Sequence, residues 1–187
     1  SSANSYLWFP GGQTSQSITV NSANSYTVRV TGTGGCTAMS APVAVTVNSS
    51  PTATITAGGA TTICNGGSVS LSASSGSPYL WTPGGQTTQA INVSNAGAYT
   101  VRVTNASGCS ATSSATNITV SSNPTANITA GGPTSFCAGG NVSLSASSGA
   151  SYLWTPGGQT TQTISATTAG AYSVRVTNAA GCSATSS

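Results

Sequence analysis

The segment Asn95-Ala-Gly-Ala-Tyr-Thr-Val-Arg-Val-Thr-Asn105 alternates apolar and polar residues from Tyr99 onward. In an extended chain, successive side chains point to opposite faces. Tyr99, Val101 and Val103 would therefore share one face, and Arg102 would lie on the other. The segment predicts a β-strand with a buried apolar face and an outward-facing arginine.

This segment belongs to a repeat with a period of 73 residues. The landmarks that keep this interval are Trp8, Trp81 and Trp154, Arg29, Arg102 and Arg175, Cys36, Cys109 and Cys182, and Cys64 and Cys137. A repeat without insertions indicates one folding unit copied head to tail. We expect residues 1–50 to hold the C-terminal part of a repeat, 51–123 a complete repeat, and 124–187 a partial repeat that lacks its last strand.

Short alternating runs separated by glycine-rich turn clusters fill the complete repeat, and none of them has helical periodicity. Six or seven short strands at this spacing predict an all-β fold, an antiparallel β-sandwich. The expected core consists of the residues on the apolar faces of the runs: Ile55, Val69, Leu71, Trp81, Ile91, Val93, Tyr99, Val101, Val103, Ile118 and Val120.

The composition excludes several function classes. Charged residues make up 2% of the chain, all of them arginine, and Asp, Glu, Lys and His are absent. Without these groups, no side chain is suited to general acid–base catalysis near neutral pH, and no base can activate a serine. We therefore expect no enzyme, no cofactor and no metal site. A net charge of +3 is too sparse for nucleic-acid binding, and no apolar run is long enough to enter a membrane.

The cysteine spacing predicts one disulfide in each repeat. Cys64 and Cys109 flank the middle of the complete repeat, and Cys137 and Cys182 occupy the same positions one repeat later. We predict the pairs Cys64–Cys109 and Cys137–Cys182, and we place the partner of Cys36 outside this sequence. A metal site is disfavoured because one cysteine pair per repeat cannot supply four ligands. Disulfides imply an oxidising, extracytoplasmic setting.

Four residues are candidates for surface contacts. Arg29, Arg102 and Arg175 would form a row of donors, one per repeat, for an anionic glycan or a neighbouring chain. The alternative is a solvated charge that keeps the sheets from pairing edge to edge. Tyr79 could stack on a sugar or join the core, whereas we expect Trp81 to be buried.

Residues 95–105 resemble the sixth strand of immunoglobulin-like domains, in which a Gly-x-Tyr turn precedes the strand and the tyrosine hydroxyl bonds back to the chain. Trp81 matches the position of the central tryptophan of such domains. Val101 occupies the position of their usual second core cysteine, which is a departure from the pattern. The strings at 152–162 and 171–182 resemble a narrower group, the immunoglobulin-like and PKD-like repeats of large surface proteins that Bacteroidetes export by type IX secretion, including gliding proteins and adhesins.

The resemblance implies export and display at the cell surface. We expect a structural segment of an extracellular stalk, filament or adhesin, with neighbouring repeats of the same chain as its contacts and with O-linked sugars on a hydroxyl-rich surface. Two alternatives remain open. Each repeat could be a weak glycan-binding module that acts through multivalency, or the neutral faces could pack between copies of the chain into a fibre or sheath.

Overall fold

The computed structural model describes residues 5–187, and all regular structure in this range is β-strand. The chain forms two compact units, which divide between Ser50 and Pro51. The first unit contains one partial repeat, and the second contains the complete repeat and the repeat that follows it. We refer to residues 5–50, 51–123 and 124–187 as the first, second and third repeats.

The second repeat is a sandwich of two sheets. Its strands are β5 (Ile55–Ala57), β6 (Thr62–Cys64), β7 (Val69–Ala73), β8 (Tyr79–Thr82), β9 (Ala90–Val93), β10 (Gly97–Thr104), β11 (Ser110–Thr112) and β12 (Thr116–Ser121). One sheet has the order β5-β7-β9, and the other has the order β11-β10-β12-β6, with β8 also paired to β10. This connectivity is that of an immunoglobulin-like sandwich, so the predicted fold class is confirmed.

The third repeat builds the same two layers with fewer strands. They are β13 (Ile128–Ala130), β14 (Val142–Ala146), β15 (Ser151–Thr155), β16 (Thr163–Ala166), β17 (Ser173–Thr177) and β18 (Ser183–Thr185). One sheet has the order β13-β14-β16 and the other β15-β17-β18. Residues 135–137, the counterpart of β6, form no strand, and the counterpart of β12 would follow residue 187.

The first repeat contains one sheet, formed by β1 (Ser5–Phe9), β2 (Asn24–Thr31), β3 (Thr37–Met39) and β4 (Val43–Val45). β1, β3 and β4 all pair with β2, as β8, β11 and β12 pair with β10 in the second repeat. Residues 16–20 match β9 in their apolar pattern but form no strand. Strand β9 pairs with β7, and the counterpart of β7 in the first repeat would precede residue 1 of this sequence.

The core of the second repeat follows the predicted alternation. Trp81, Val101 and Val103 have no exposed surface, and the other predicted residues on these strands are buried, with two exceptions. Ile55 is half-buried at the edge of the core. Val120 is 37% exposed. It lies beyond Ile118, the residue of β12 that pairs with the first residue of β10, so β10 does not cover it.

Two hydrogen bonds recur in each repeat and fix its aromatic residues. The Trp81 Nε1 group donates to the Thr88 carbonyl oxygen at 2.9 Å, and Trp154 makes the equivalent bond at the same length. The Tyr99 hydroxyl donates to the Asn95 carbonyl oxygen at 3.1 Å, which closes the turn before β10. The tyrosine corner expected from the resemblance is therefore present. The acceptor offsets the cost of removing the indole N–H from water, so these bonds allow the tryptophan to be buried in the core.

Candidate functional site

The most distinctive feature of the second unit is the joint between the second and third repeats. Strand β12 leads into this joint, and it runs parallel to β6 with Val120 beside Ile63 and Ser121 beside Cys64. The backbone N–H of Asn65 donates to the Ser121 carbonyl oxygen at 2.9 Å. This pairing holds Cys64 at the point where the chain leaves the second repeat.

The third repeat contributes a tight hairpin between β17 and β18. The Asn178 side-chain oxygen accepts hydrogen bonds from the backbone N–H groups of Ala180, at 3.0 Å, and Cys182, at 2.9 Å. Gly181 has a φ of 83°, a left-handed conformation that glycine adopts without steric cost. These interactions position the Cys182 side chain. They also leave the Asn178 amide nitrogen to donate to the Ser122 carbonyl oxygen in the linker, at 2.8 Å.

A disulfide joins the two sides of the joint. Cys64 and Cys182 are bonded, their Cα atoms are 5.5 Å apart, and they are separated by 118 residues in sequence. The Cys182 side chain has no exposed surface. Successive repeats are therefore connected three times in this region: by the linker, by the Asn178–Ser122 hydrogen bond, and by a covalent bond between side chains.

This bond corrects the predicted pairing of Cys64 with Cys109 and of Cys137 with Cys182. The prediction of one disulfide inside each repeat was wrong because the two cysteines of a repeat lie at opposite ends of the sheet. Cys109 follows the C-terminal end of β10, whereas Cys64 lies beside Ser121, past the N-terminal end of that strand. A strand of eight residues spans about 25 Å, far beyond the reach of a disulfide. Cys36 and Cys137 are exposed.

The hairpin asparagine positions the cysteine, and the sequence analysis did not single it out. Asn105 lies four residues before Cys109, and Asn178 lies four residues before Cys182. Asn105 also accepts a hydrogen bond from the Cys109 backbone N–H, at 3.0 Å. The repeated Asn-x-x-Gly-Cys spacing is therefore the sequence signal for a hairpin that presents a cysteine.

The three arginines occupy equivalent exposed positions, one in each repeat. Arg29 lies opposite Leu7, Arg102 opposite Leu80, and Arg175 opposite Leu153 in the strand register. Leu80 and Leu153 are each 45% exposed. The Arg102 Nε group donates to the Ser110 hydroxyl at 3.1 Å. Their role in surface contacts stays a prediction.

The aromatic residues of the second repeat give no open stacking platform. Trp81 is fully buried, as predicted, and Tyr79 is half-buried against the same core. Trp154 is also fully buried. In the described range no three His, Cys, Asp or Glu side chains are grouped as metal ligands, and no helix there is long and apolar enough to cross a membrane.

The third repeat contains an open groove with a volume of about 790 Å³. It lies at the position that β12 and β6 occupy in the second repeat, and the counterpart of β12 would follow residue 187. Phe136, one of its lining residues, is 37% exposed, whereas its equivalent Ile63 in the second repeat is 7% exposed. Other apolar side chains that line it are Ile128, Val142, Leu144, Ala166 and Tyr172.

No protein-family model matches this chain, and neither does any curated protein sequence. Among solved structures, the human OSCAR ligand-binding domain is 15% identical over 75% of this chain and 96% of its own length, with a TM-score of 0.32. The mixed-linkage glucan utilization locus protein SGBP-B of Bacteroides ovatus, solved with a mixed-linkage heptasaccharide, is 17% identical over 96% of this chain and 56% of its own length, with a TM-score of 0.25. These TM-scores are too low for either structure to indicate a ligand or a role for this chain.

Proposed function

We propose that this chain is a tension-bearing structural segment of an extracellular stalk, filament or adhesin at a bacterial cell surface. The Cys64–Cys182 bond is the observation that carries the proposal. Tension that enters the second repeat from its N-terminal side reaches Cys64 and can pass directly to Cys182. The folded chain between these two residues then bears little of the load. Such a bond is suited to a protein that must stay folded while it is pulled.

The remainder of the joint supports the same role. The Asn178–Ser122 hydrogen bond and the pairing of β12 with β6 hold the linker against both repeats. Bending at the linker would have to break these contacts as well as strain the disulfide. A joint closed at several points resists bending more than a linker alone does, because each contact removes conformations that a flexible chain would sample.

A mechanical role also fits the chemistry of the chain. The absence of Asp, Glu, Lys and His supports a protein that is not an enzyme, because catalysis near neutral pH needs groups that exchange protons there. A structural disulfide persists in oxidising compartments outside the cytoplasm. Together with the resemblance to repeats of large Bacteroidetes surface proteins, this supports an extracellular location. O-linked sugars on the many Ser and Thr side chains would supply the solubility that charge does not.

Single-molecule stretching of the chain between its termini tests this proposal. With the disulfide intact, the residues between Cys64 and Cys182 cannot extend, so unfolding should release a short length. Reduction should add about 400 Å of contour length, since an extended residue spans at most about 3.6 Å. The matched control is Cys137→Ser, which removes the equivalent cysteine of the third repeat and should leave the oxidised trace unchanged. Equal contour lengths before and after reduction would rule out load transfer through this bond.

Lateral association between copies is a second candidate role. It is favoured by the exposed Leu80 and Leu153 side chains, each beside an arginine on the outer face of its sheet. Exposed leucines at the same position of successive repeats would contact a neighbouring chain at regular intervals. Leu80→Ser combined with Leu153→Ser should reduce bundling in electron micrographs, and unchanged bundling would rule out this face.

A further inference from the structure

The second repeat contains a cleft with polar, uncharged walls. The cleft has a volume of about 250 Å³ and lies between the turn that follows β8 and the turn that joins β9 to β10. Gln86, Asn92 and Asn95 contribute side-chain amides to its lining, and Ser94 contributes a hydroxyl. All of its lining residues belong to the second repeat, and none of them takes part in the joint with the third repeat.

The amides that line the cleft are not used to hold the fold together. Gln86, Asn92 and Asn95 are exposed, and within residues 5–187 their side chains make no hydrogen bond to the rest of the chain. The nearby Gln89 behaves differently, because its Nε2 group donates to the Ala73 carbonyl oxygen at 3.3 Å. An amide both donates and accepts hydrogen bonds, so the three amides of the cleft can bind a ligand group that does both.

The glycine turn after β8 holds the Gln86 amide in place. A Cβ built on Gly84 would collide with Gln86 Oε1, so the amide lies directly against the glycine. Gly84 has a φ of 109°, which favours glycine at this position. The same arrangement recurs between Gly11 and Gln13 and between Gly157 and Gln159. A side chain that is already positioned loses less conformational entropy when a ligand binds.

The repeats share one wall of this cleft and differ in the other. The shared wall is Pro-Gly-Gly-Gln, which occurs at 10–13, 83–86 and 156–159. The variable wall, residues 92–95, is Asn-Val-Ser-Asn, and its counterparts at 19–22 and 165–168 are Thr-Val-Asn-Ser and Ser-Ala-Thr-Thr. No other run of consecutive differences between residues 51–114 and their counterparts 124–187 is as long. A constant scaffold beside a variable loop is typical of binding sites whose loops set the specificity.

We propose that the cleft of the second repeat binds one sugar unit of a neutral glycan. Sugar hydroxyls donate and accept hydrogen bonds, as the amides of Gln86, Asn92 and Asn95 do. The lining contains no charged side chain, so an ionic ligand would lose its hydration without gaining a counter-charge. The volume is slightly below the range of about 300–1,000 Å³ that is usual for small-molecule sites, which suits a single monosaccharide. This binding function is separate from the tension-bearing role of the joint.

NMR titration of the isotope-labelled chain with neutral oligosaccharides tests the site. The probes are gluco-, manno-, galacto- and xylo-oligosaccharides, and an uncharged Gly-Ser peptide is the control. At least one sugar series should shift the side-chain amide resonances of Gln86, Asn92 and Asn95, with a Kd of about 1 mM, as expected for one small site. The absence of such shifts with every sugar at about 10 mM, or equal shifts with the peptide, overturns the proposal.

Variants taken from the third repeat give matched controls. Asn92→Ser combined with Asn95→Thr introduces the residues that the third repeat carries at these positions, and binding should weaken at least about tenfold. The control Ser107→Ala also introduces a third-repeat residue, but in the hairpin after β10, and should bind as the unchanged chain does. Equal affinity of these two variants contradicts the site.

A third variant keeps the test independent of the variable wall. Gln86→Ala removes an exposed side chain that makes no hydrogen bond within residues 5–187, so the fold should be retained. Binding of the sugar should weaken about threefold to tenfold, the loss expected for one neutral hydrogen bond or two. Unchanged affinity in Gln86→Ala would mean that the sugar binds elsewhere.

Discussion

Removal of the disulfide at Cys64 gives the sharpest test of the joint. We choose Cys64→Ser because Cys64 is half-buried, whereas Cys182 is fully buried and its substitution would also disturb the packing of the third repeat. The matched control is Cys137→Ser, at the equivalent and exposed position one repeat later. Both variants replace a cysteine with serine, but only Cys64→Ser removes a disulfide.

The expected effect follows from the loop that the bond closes. When the third repeat unfolds while the second stays folded, Cys64 remains beside Ser121, so the bond closes the segment from Ser121 to Cys182. A closed loop of about 60 residues stabilises the folded state by about 4 kcal/mol in the chain-entropy model. For a small repeat, this corresponds to a fall in Tm of roughly 15–30 °C.

The assay is thermal unfolding followed by Trp fluorescence, in the oxidised and reduced states. Oxidised wild type and Cys137→Ser should unfold together, and Cys64→Ser should unfold at the lower temperature of the reduced wild type. A fall in Tm of similar size in Cys137→Ser would refute the reasoning, because it would mean that Cys137 also carries a stabilising bond.

Digestion gives an independent check of the partners. Trypsin cleaves after arginine, and the three arginines divide the chain at positions 29, 102 and 175. Without reductant, the fragment 30–102, which contains Cys36 and Cys64, should be joined to 176–187, which contains Cys182, and this product should disappear in Cys64→Ser. A product that joins 103–175, which contains Cys109 and Cys137, to 176–187 would contradict the joint.

Three further predictions concern the repeats themselves. Trp154→Ala should destabilise the third repeat by about 3–5 kcal/mol in denaturant unfolding, because a fully buried indole leaves a large cavity; a loss below 1 kcal/mol would argue against a closed core. Gly149→Ala should lower the free energy of unfolding by about 1–3 kcal/mol, because the added Cβ would collide with Val176 Cγ1. The control Gly170→Ala adds a Cβ that meets nothing within 4 Å and should leave Tm unchanged. Tm should vary by less than about 2 °C between about pH 5 and pH 7, because the sequence contains no Asp, Glu, Lys or His; a steep dependence in circular dichroism melts would contradict this.

The local sequence determined which side chains form the core. The alternation around Tyr99, Val101 and Val103 predicted a buried strand, and these three side chains are at most 6% exposed. Such a prediction succeeds because the side-chain direction in a strand depends only on the position along the chain. Because the repeat interval is constant, the same alternation of apolar and polar residues recurs in each repeat. The tyrosine corner at Tyr99 was also predictable, because its acceptor at Asn95 lies four residues away.

Tertiary structure decided which cysteines meet. Cys64 lies closer to Cys109 than to Cys182 in sequence, but a full strand length separates Cys64 from Cys109 in the sheet. Sequence spacing records distance along the chain, whereas a disulfide depends on which ends of the folded repeats lie together.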